Sequence, residues 1–463
     1  MAAHFDVLEQ FIQEKLAETH LPALSIALVE RGETVFARGF GFRDSERGLP
    51  ATPRTLYGIG SVTKSFTCLA IMQLQEQGKL RVDDPMERYV PLEVRPFGRP
   101  ITLHHFMSHS SGIPALAYAE AVIRHAAGAA DSYLPIASYD DMLTFLNGAH
   151  DWVQSPPGER WFYLNEGYIL LGAVIEKVSG QPYADYIQQH ILDRLGMTRT
   201  FFSKAHVDAD TDVAVPYVVT KDKTQLPSHY LYGRLTSDGG LISSVEDMTR
   251  YLRMYLAGGR AAGVRLIEEA SLTTMMTGYV DLPPEVYPAD GRRHVGGYGY
   301  GLSIYPDFYG HALVGHGGSV LISTAHLAFI PDREVGVMIL ANGSGYPMAH
   351  VAEVALAVLL GEDPWALPGV SAERALDRLT GRYETYRGTY GATVNRAGDF
   401  LMLQIKNKLL EQTVPLVPVA LESDRARFFT LSMGRRLEVE FAMRNGGVEL
   451  IYERYKMRRV GQA

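Results

Sequence analysis

A serine and a lysine three positions apart are the first candidates for catalysis. They stand in Ser61-Val-Thr-Lys64, the only S-x-x-K sequence of the chain, and Gly58 and Gly60 precede them. Positions i and i+3 share one face of a helix, so the Lys64 amine would lie beside the Ser61 hydroxyl. Backbone N–H groups at a helix N-terminus can stabilise an oxyanion, and a lysine can act as a base where burial lowers its pKa. A serine helix cap followed by a surface lysine is the alternative that this motif alone leaves open.

Two further motifs carry residue types suited to proton transfer and substrate binding. In Tyr163-Leu164-Asn165 the tyrosine could relay a proton beside a lysine, and the asparagine carboxamide could bind a substrate amide. In His316-Gly317-Gly318-Ser319 the paired glycines would let a substrate backbone lie close to an edge strand and would expose the Ser319 N–H. An ordinary loop and a plain turn are the respective alternatives for these short motifs.

Apolar periodicity predicts strands near both ends of the first 361 residues and helices between them. Two extended runs, 23–30 and 34–42, predict a β-hairpin, and three more lie between 310 and 345. Helical spacing of apolar residues covers 4–19, 61–80, 167–178, 183–195, 243–257 and 346–361. The simplest packing is an α/β fold in which an antiparallel sheet of N- and C-terminal strands carries helices. Because this part exceeds the usual size of a single core, a helical subdomain and a cleft are expected.

The character of the sequence changes after residue 361. Two prolines and a glycine within 362–369 indicate a linker. Beyond the linker the apolar pattern has a period of two, which is typical of strands. By contrast, residues 114–160 of the first part show no strong apolar period. The many short strands expected within 371–463 predict a small closed antiparallel β-barrel.

Taken together and in this order, the three motifs resemble those of the serine β-lactamase and penicillin-binding protein family, in its class C-like branch. Segments outside the motifs resemble the family too, namely 101–114, 157–160, 167–172, 195–197, 239–244 and 298–302. The resemblance covers residues 8–361. For a domain of residues 1–361 it implies the family's antiparallel sheet with flanking helices and a helical subdomain. The branch includes D-peptidases, esterases and acyltransferases.

The resemblance also implies a role for each motif residue. Ser61 is expected to be the nucleophile, and Lys64 and Tyr163 are expected to transfer protons. The expected substrate contacts are Asn165, His316, Gly317 and Gly318, and the oxyanion hole would be formed by the backbone N–H groups of Ser61 and Ser319. No cofactor and no metal are expected.

Two positions depart from the family pattern. His316 stands where many members have the lysine of a K-T-G motif, and Leu164 stands where the family often has a small residue. Histidine is mostly neutral at pH 7, so a fixed positive charge for a substrate carboxylate is missing. The departure makes β-lactams poor candidate substrates. It favours a D-stereospecific peptidase or amidase that forms an acyl-enzyme, with esterase activity on the side.

Other activities of the same acyl-enzyme stay open at this point. The first alternative is an acyltransferase or peptide cyclase, and the second is a carboxylesterase. A β-lactamase and a non-catalytic penicillin-binding sensor have less support. The intact set of Ser61, Lys64 and Tyr163 favours an enzyme over a sensor. The expected partner is a small-molecule or peptide substrate.

Residues 371–463 resemble the lipocalin-like domain attached to some D-peptidase and peptide-cyclising relatives, through the strand pattern and phrases such as Leu379-Thr-Gly-Arg-Tyr383. This domain carries none of the three motifs. We expect it to limit access to the cleft or to build the interface of a homo-oligomer, since its basic residues complement the acidic catalytic part.

Composition excludes several other classes of protein. The 44 basic and 52 acidic side chains give a net charge of −8, which argues against nucleic-acid binding. No apolar run approaches the length of a membrane helix, and the N-terminus lacks the pattern of a secretory signal, so a cytoplasmic protein is expected. The single cysteine, Cys68, cannot form a disulfide within the chain. His104, His105 and His109 lack the glutamate of a zinc motif, and no G-x-S-x-G nucleophile elbow occurs.

Overall fold

The apolar run Ala23–Glu30 forms a central strand of the large sheet, and seven of its eight residues are buried. A strand that is buried on both faces needs neighbours on each edge and cover above and below. The computed structural model describes residues 5–128, 130, 134–233, 235–261, 263–283, 295–406, 411–444 and 446–462. Its Cα positions divide into two compact units, Met1–Glu362 and Asp363–Ala463.

The first unit contains fifteen described strands. They are β1 (Ala23–Glu30), β2 (Glu33–Asp44), β3 (Leu49–Pro50), β4 (Tyr57–Gly58), β5 (Tyr217–Val219), β6 (Gln225–Pro227), β7 (Ile242–Ser243), β8 (Arg260–Ala261), β9 (Val264–Arg265), β10 (Val280–Asp281), β11 (Gly297–Tyr298), β12 (Ser303–Phe308), β13 (His311–Ser319), β14 (Thr324–Ile330) and β15 (Val335–Ala341). Nine of them form one antiparallel sheet in the order β10-β11-β12-β13-β14-β15-β1-β2-β3. Strands from both ends of the unit meet where β1 pairs with β15, so the predicted sheet is confirmed.

Twelve described helices accompany this sheet. They are α1 (Asp6–Thr19), α2 (Thr63–Glu76), α3 (Leu103–Met107), α4 (Tyr118–Ala126), α5 (Tyr139–Asn147), α6 (Asn165–Ser179), α7 (Tyr183–Ile187), α8 (Asp193–Leu195), α9 (Lys204–Asp208), α10 (Val245–Leu256), α11 (Glu269–Met275) and α12 (Met348–Leu360). Helix α10 packs on β15 and β1, and α12 packs on β14 and β15. No described helix is both long enough and apolar enough to cross a membrane.

A buried pair of helices, α2 and α6, forms the centre of the helical layer. Twelve of the fourteen residues of α2 are buried, and so are the first eleven residues of α6. Helices α3, α4, α5 and α7 surround α6. A helix that is buried on all sides holds its side chains in single conformations, which suits residues that must be aligned for chemistry. Both α2 and α6 begin beside a motif residue.

The second unit is a closed barrel preceded by a helix, α13 (Pro368–Asp377). Its strands are β16 (Gly381–Glu384), β17 (Gly391–Ala397), β18 (Phe400–Lys406), β19 (Glu411–Leu421), β20 (Arg425–Ser432), β21 (Arg435–Arg444), β22 (Gly447–Tyr452) and β23 (Tyr455–Gly461). Pairing of β16 with β23 closes the eight-stranded antiparallel barrel, which confirms the predicted barrel. Buried side chains such as Tyr383, Phe428 and Phe441 pack together as its core.

Candidate active site

Ser61 lies in a tight turn that leads directly into α2. Strand β4 ends at Gly58, a 3-10 turn covers Gly60–Val62, and α2 begins at Thr63. Gly60 has a φ of +50°, a conformation that a residue with a Cβ adopts only at a cost. The turn therefore presents the Ser61 hydroxyl at the N-terminal end of a buried helix.

The Lys64 amine is completely buried and lies among three oxygen atoms. Its Nζ is 3.0 Å from Ser61 Oγ, and it donates to Asn165 Oδ1 at 2.8 Å and to the Asp238 carbonyl at 2.7 Å. A neutral amine has two N–H bonds and one lone pair. A charged Lys64 donates to all three oxygens, whereas a deprotonated Lys64 could keep both carbonyl contacts with its two N–H bonds and accept from the Ser61 hydroxyl. This geometry is suited to drawing a proton from Ser61.

Tyr163 lies in the loop just before α6. The Lys64 Nζ is 4.8 Å from the centre of the Tyr163 ring, so the phenol and the amine share one pocket. Within the described residues the Tyr163 hydroxyl makes no hydrogen bond to the protein, and the side chain is partly exposed. A substrate can therefore reach this hydroxyl, as a proton-transfer role would require.

The last four residues of β13 form an accessible edge beside Ser61. Strand β12 pairs with β13 only as far as Gly315, whereas residues 316–319 pair with β14. Gly317 and Ser319 are exposed, and His316 and Gly318 are buried. Within the described strands nothing pairs with the other side of 316–319. An extended substrate can align there through its main chain, as peptides do on other sheet edges.

Two glycines let this edge approach the nucleophile turn. A Cβ on Gly318 would lie 2.0 Å from the Ile59 carbonyl oxygen and 3.1 Å from the Ser61 nitrogen. A Cβ on Gly60 would lie 2.9 Å from the Ser319 nitrogen. Backbone packs directly on backbone here. The arrangement holds the amide nitrogens of Ser61 and Ser319 on neighbouring segments, where they could share one oxyanion.

His316 is buried, and its ring is held from both sides. Its Nε2 lies 2.8 Å from the Tyr298 hydroxyl, and its Nδ1 lies 2.6 Å from the Gly317 carbonyl oxygen. The carbonyl can only accept, so Nδ1 donates and Nε2 accepts from Tyr298. Burial, with the nearby charge of Lys64, lowers the pKa of His316 to about 3. The imidazole is therefore neutral at pH 7 and offers no fixed charge to a substrate carboxylate.

The structure thus brings all the motif residues together at one place. Three contributors were not identified as site residues from the sequence. Asp238 acts through a backbone oxygen, Tyr298 through its bond to His316, and His109 through contacts with the Tyr163 loop. All three lie in or beside the family-like segments 101–114, 239–244 and 298–302, and these segments were the only available signal.

An apolar pocket of about 300 Å³ opens next to this cluster. Its walls come from α4, from residues 230–233, 235–236 and 238–242 and from the segment after β13, and they include Tyr118, Tyr230, Leu235 and Ile322. Asp238 and Gly239 line the end nearest to Lys64. Burial raises the pKa of the Asp238 carboxyl, and the charge of Lys64 opposes that effect. The pocket has the size and lining of a site for a large apolar group.

Other residues considered from the sequence have structural contacts. His105 completes a capping box with Thr102 at the start of α3, and His104 Nδ1 lies 2.8 Å from the Tyr300 hydroxyl. Cys68 is fully buried in α2, and burial raises the pKa of its thiol to about 12. Such a thiol is not ionised at neutral pH.

Comparison with known proteins matches both units of the chain. The model of the family described as Beta-lactamase matches residues 8–361, and the model of the Pab87 octamerisation domain matches residues 364–458. Protein flp of Staphylococcus aureus strain MW2 is 29% identical over 262 residues, which are 54% of this chain and 48% of that protein. The chain thus spans about half the length of this curated relative.

Solved structures agree with the family match. The octameric penicillin-binding protein homologue from Pyrococcus abyssi is 45% identical, with a TM-score of 0.92 over 98% of this chain and 100% of that chain. A class C beta-lactamase is 20% identical, with a TM-score of 0.62 over 78% of this chain and 97% of that chain, and this likeness concerns the fold alone. The resemblance to a lipocalin stays a prediction.

The close approach of β13 to Ser61 yields a first prediction. Gly318→Ala should slow acylation of Ser61 at least about tenfold, because the added methyl group displaces the strand and with it one oxyanion donor. Gly317→Ala is the matched comparison. A Cβ on Gly317 would meet only the His326 ring, with Nδ1 at 3.4 Å, so the rate of acylation should fall much less in this variant. The rate of fluorophosphonate labelling, measured on protein shown to be folded, tests the pair. Equal labelling rates for Gly318→Ala and the wild type would contradict this account.

A histidine of the large sheet yields a prediction about pH. His326 on β14 pairs with Gly317 on β13 and is partly buried. Desolvation, with repulsion from His350, lowers the pKa of His326 to about 4 from the ordinary 6.5. As pH falls, the unfolded chain therefore binds a proton before the folded chain does. The stability from this residue is complete above pH 6.5 and is lost progressively toward pH 4. At pH 5 the loss is at most about 2 kcal/mol.

His326→Gln should accordingly flatten the fall in the free energy of unfolding between pH 7 and pH 5, as measured by urea denaturation. His229→Gln, at an exposed position, is the control and should leave the slope as in the wild type. An unchanged slope in His326→Gln would show that this histidine does not titrate with folding.

Proposed function

The chain belongs to the Beta-lactamase family, and we propose that it is a serine hydrolase that acts through an acyl-enzyme on amide or ester bonds, with D-configured peptides as its main substrates. The observation that carries this proposal is the buried Lys64 amine, which donates to the Asn165 and Asp238 carbonyl oxygens and lies 3.0 Å from Ser61 Oγ.

Acylation follows from these contacts. Ser61 Oγ attacks the substrate carbonyl carbon and its proton passes to Lys64 Nζ. The carbonyl oxygen becomes an oxyanion between the N–H groups of Ser61 and Ser319. The bond to the leaving group then breaks, and the leaving group takes a proton through Lys64 and Tyr163. A water molecule then attacks the carbonyl carbon of the acyl-enzyme, with proton transfer through the same groups. This step releases the acid and restores the Ser61 hydroxyl.

Two features support the substrate class. The neutral His316 gives a substrate carboxylate no fixed positive partner, which disfavours β-lactams and peptides recognised by a terminal carboxylate. The apolar pocket beside Lys64 suits a substrate with a bulky apolar side chain. The preference for the D configuration comes from the family branch that the motifs resemble.

The enzymatic prediction compares D- and L-configured aminoacyl p-nitroanilides with leucine and alanine side chains. Wild-type protein should prefer D over L and leucine over alanine, and Ser61→Ala should lower turnover by at least about 10³-fold. The reaction is also run with an added amine, and the amounts of amide and acid product are compared. A transferase would form the amide faster than the acid. Preference for L-anilides would overturn the D-peptidase assignment, and wild-type turnover by Ser61→Ala would overturn the acyl-enzyme mechanism.

We infer that the second unit joins copies of this chain into a homo-oligomer. The inference is supported by the match of residues 364–458 to a domain named for octamerisation and by the relative from Pyrococcus abyssi, which is octameric. The barrel also exposes apolar side chains that water disfavours. Met433 is 99%, Tyr386 80% and Leu431 66% exposed.

Ending the chain after Gly361 tests this assignment. The first unit has its own core, so the shortened protein should still be labelled at Ser61 by a fluorophosphonate, while light scattering should report a smaller assembly than for the whole chain. The full-length double variant Leu431→Ser, Met433→Ser is compared with the wild type by the same light-scattering measurement. It tests whether this one exposed apolar site contributes to the assembly. An unchanged number of chains per particle after truncation would exclude the barrel as the interface. Loss of Ser61 labelling in folded protein would mean that the barrel completes the active site.

A further inference from the structure

A buried histidine, His109, contacts the Tyr163 loop on both sides of the tyrosine. The Phe162 N–H donates to the His109 carbonyl oxygen at 2.8 Å, and the Leu164 N–H donates to His109 Nδ1 at 3.0 Å. The two rings lie against one another, with centroids 4.1 Å apart and planes 38° apart. One residue therefore holds the backbone before and after Tyr163 as well as its ring.

The backbone of His109 is shaped for this contact. The residue is 1% exposed and has a φ of +56°, in the left-handed region that non-glycine residues seldom occupy. Asparagine and glycine tolerate that region well, and larger apolar residues do not. The turn brings both the carbonyl and the ring of His109 to the same loop.

The protonation state of the ring is defined by its hydrogen bond. Because Nδ1 accepts from the Leu164 N–H, the proton of the neutral ring belongs on Nε2. Burial first, and then the charge of Lys64, lowers the pKa of His109 well below its usual value. Nδ1 therefore remains an acceptor throughout the neutral range. Nε2 is buried without a hydrogen-bond partner in the described structure, so the only polar contact of the ring is the one to the Tyr163 loop.

We propose that His109 is a positioning residue for Tyr163, and that its Nδ1 acceptor keeps the phenol where it can exchange a proton with the substrate leaving group. The alternative is a core histidine that merely fills space. Filling space alone would not require an acceptor at Nδ1, yet here Nδ1 accepts from the Leu164 N–H. The proposal rests on the proposed function, in which Tyr163 transfers a proton.

The test compares His109→Asn with His109→Gly. Both replacements accept the left-handed backbone and both remove the ring. The asparagine carbonyl oxygen can occupy the place of Nδ1, whereas glycine has no acceptor. Any difference between the two variants therefore reports the hydrogen bond to the Leu164 N–H. The single-turnover rate of Ser61 acylation and KM are measured on p-nitrophenyl esters and normalised to the folded fraction.

We expect His109→Gly to acylate about 10- to 100-fold more slowly than His109→Asn, with KM little changed, because a small displacement of a proton-transfer group is costly. The same pair is then made with Tyr163→Phe. If the hydrogen bond acts through the phenol, the Asn–Gly difference disappears in that background.

Each result decides a separate point. Equal acylation rates for the Asn and Gly variants would overturn the positioning role, and so would a difference that persists undiminished with Tyr163→Phe. A Tyr163→Phe protein that acylates at the wild-type rate would instead overturn the part of the proposed function that assigns proton transfer to Tyr163. If the Tyr163→Phe protein acylates too slowly to measure, the ratio of the His109→Asn and His109→Gly acylation rates with Tyr163 present decides the positioning role. Both rates are compared per folded molecule.

Discussion

The buried Lys64 amine is the constraint on which the arrangement of the site depends. An amine can be removed from water only if nearby acceptors replace its lost hydrogen bonds. Here the acceptors come from the start of α6 and from the loop before β7, and the amine itself comes from α2. The three segments are distant in sequence, so the packing of α2 against α6 is also what assembles the chemistry. Residues that look like ordinary core, such as those along α6, keep Asn165 in reach of Lys64.

A second constraint is the distance between the sheet and the nucleophile turn. Backbone amides make a good oxyanion site because they are rigid, but they must come from two segments that almost touch. Gly60 and Gly318 make this approach feasible, since a methyl group at either position would meet backbone atoms. Glycine is therefore required at both positions for close contact, and at Gly60 also for the positive φ. The unpaired edge at 316–319 lies at the same junction, so in the proposed mechanism substrate binding and oxyanion stabilisation would use the same few residues.

Much of this could be predicted from the sequence because the signals were side chains at regular spacing. The spacing of apolar residues predicted the helix of Lys64 over 61–80, and the structure places α2 within that range, from Thr63 to Glu76. Period-two runs at the two ends of the first unit predicted the sheet, and those after residue 361 predicted the barrel. Helices α4 and α5 were missed within residues 114–160, because each is nine residues long and α4 buries only Tyr118. The Asp238 carbonyl could not be predicted, because every residue has a carbonyl and only the fold selects one.

The electrostatics of the site follow from the same buried lysine. His109 and His316 share its surroundings, and the charge of Lys64 adds to burial in lowering both histidine pKa values. Burial disfavours the charged form of either ring, so both imidazoles are neutral at neutral pH. Both rings then act at neutral pH as fixed hydrogen-bonding groups, His316 toward Tyr298 and His109 toward the Tyr163 loop. Replacing the family's usual lysine by His316 thus does more than remove a contact for a carboxylate. It also leaves Lys64 without a second fixed cation beside it, and in the proposed mechanism Ser61, Lys64 and Tyr163 would then exchange the protons with substrate.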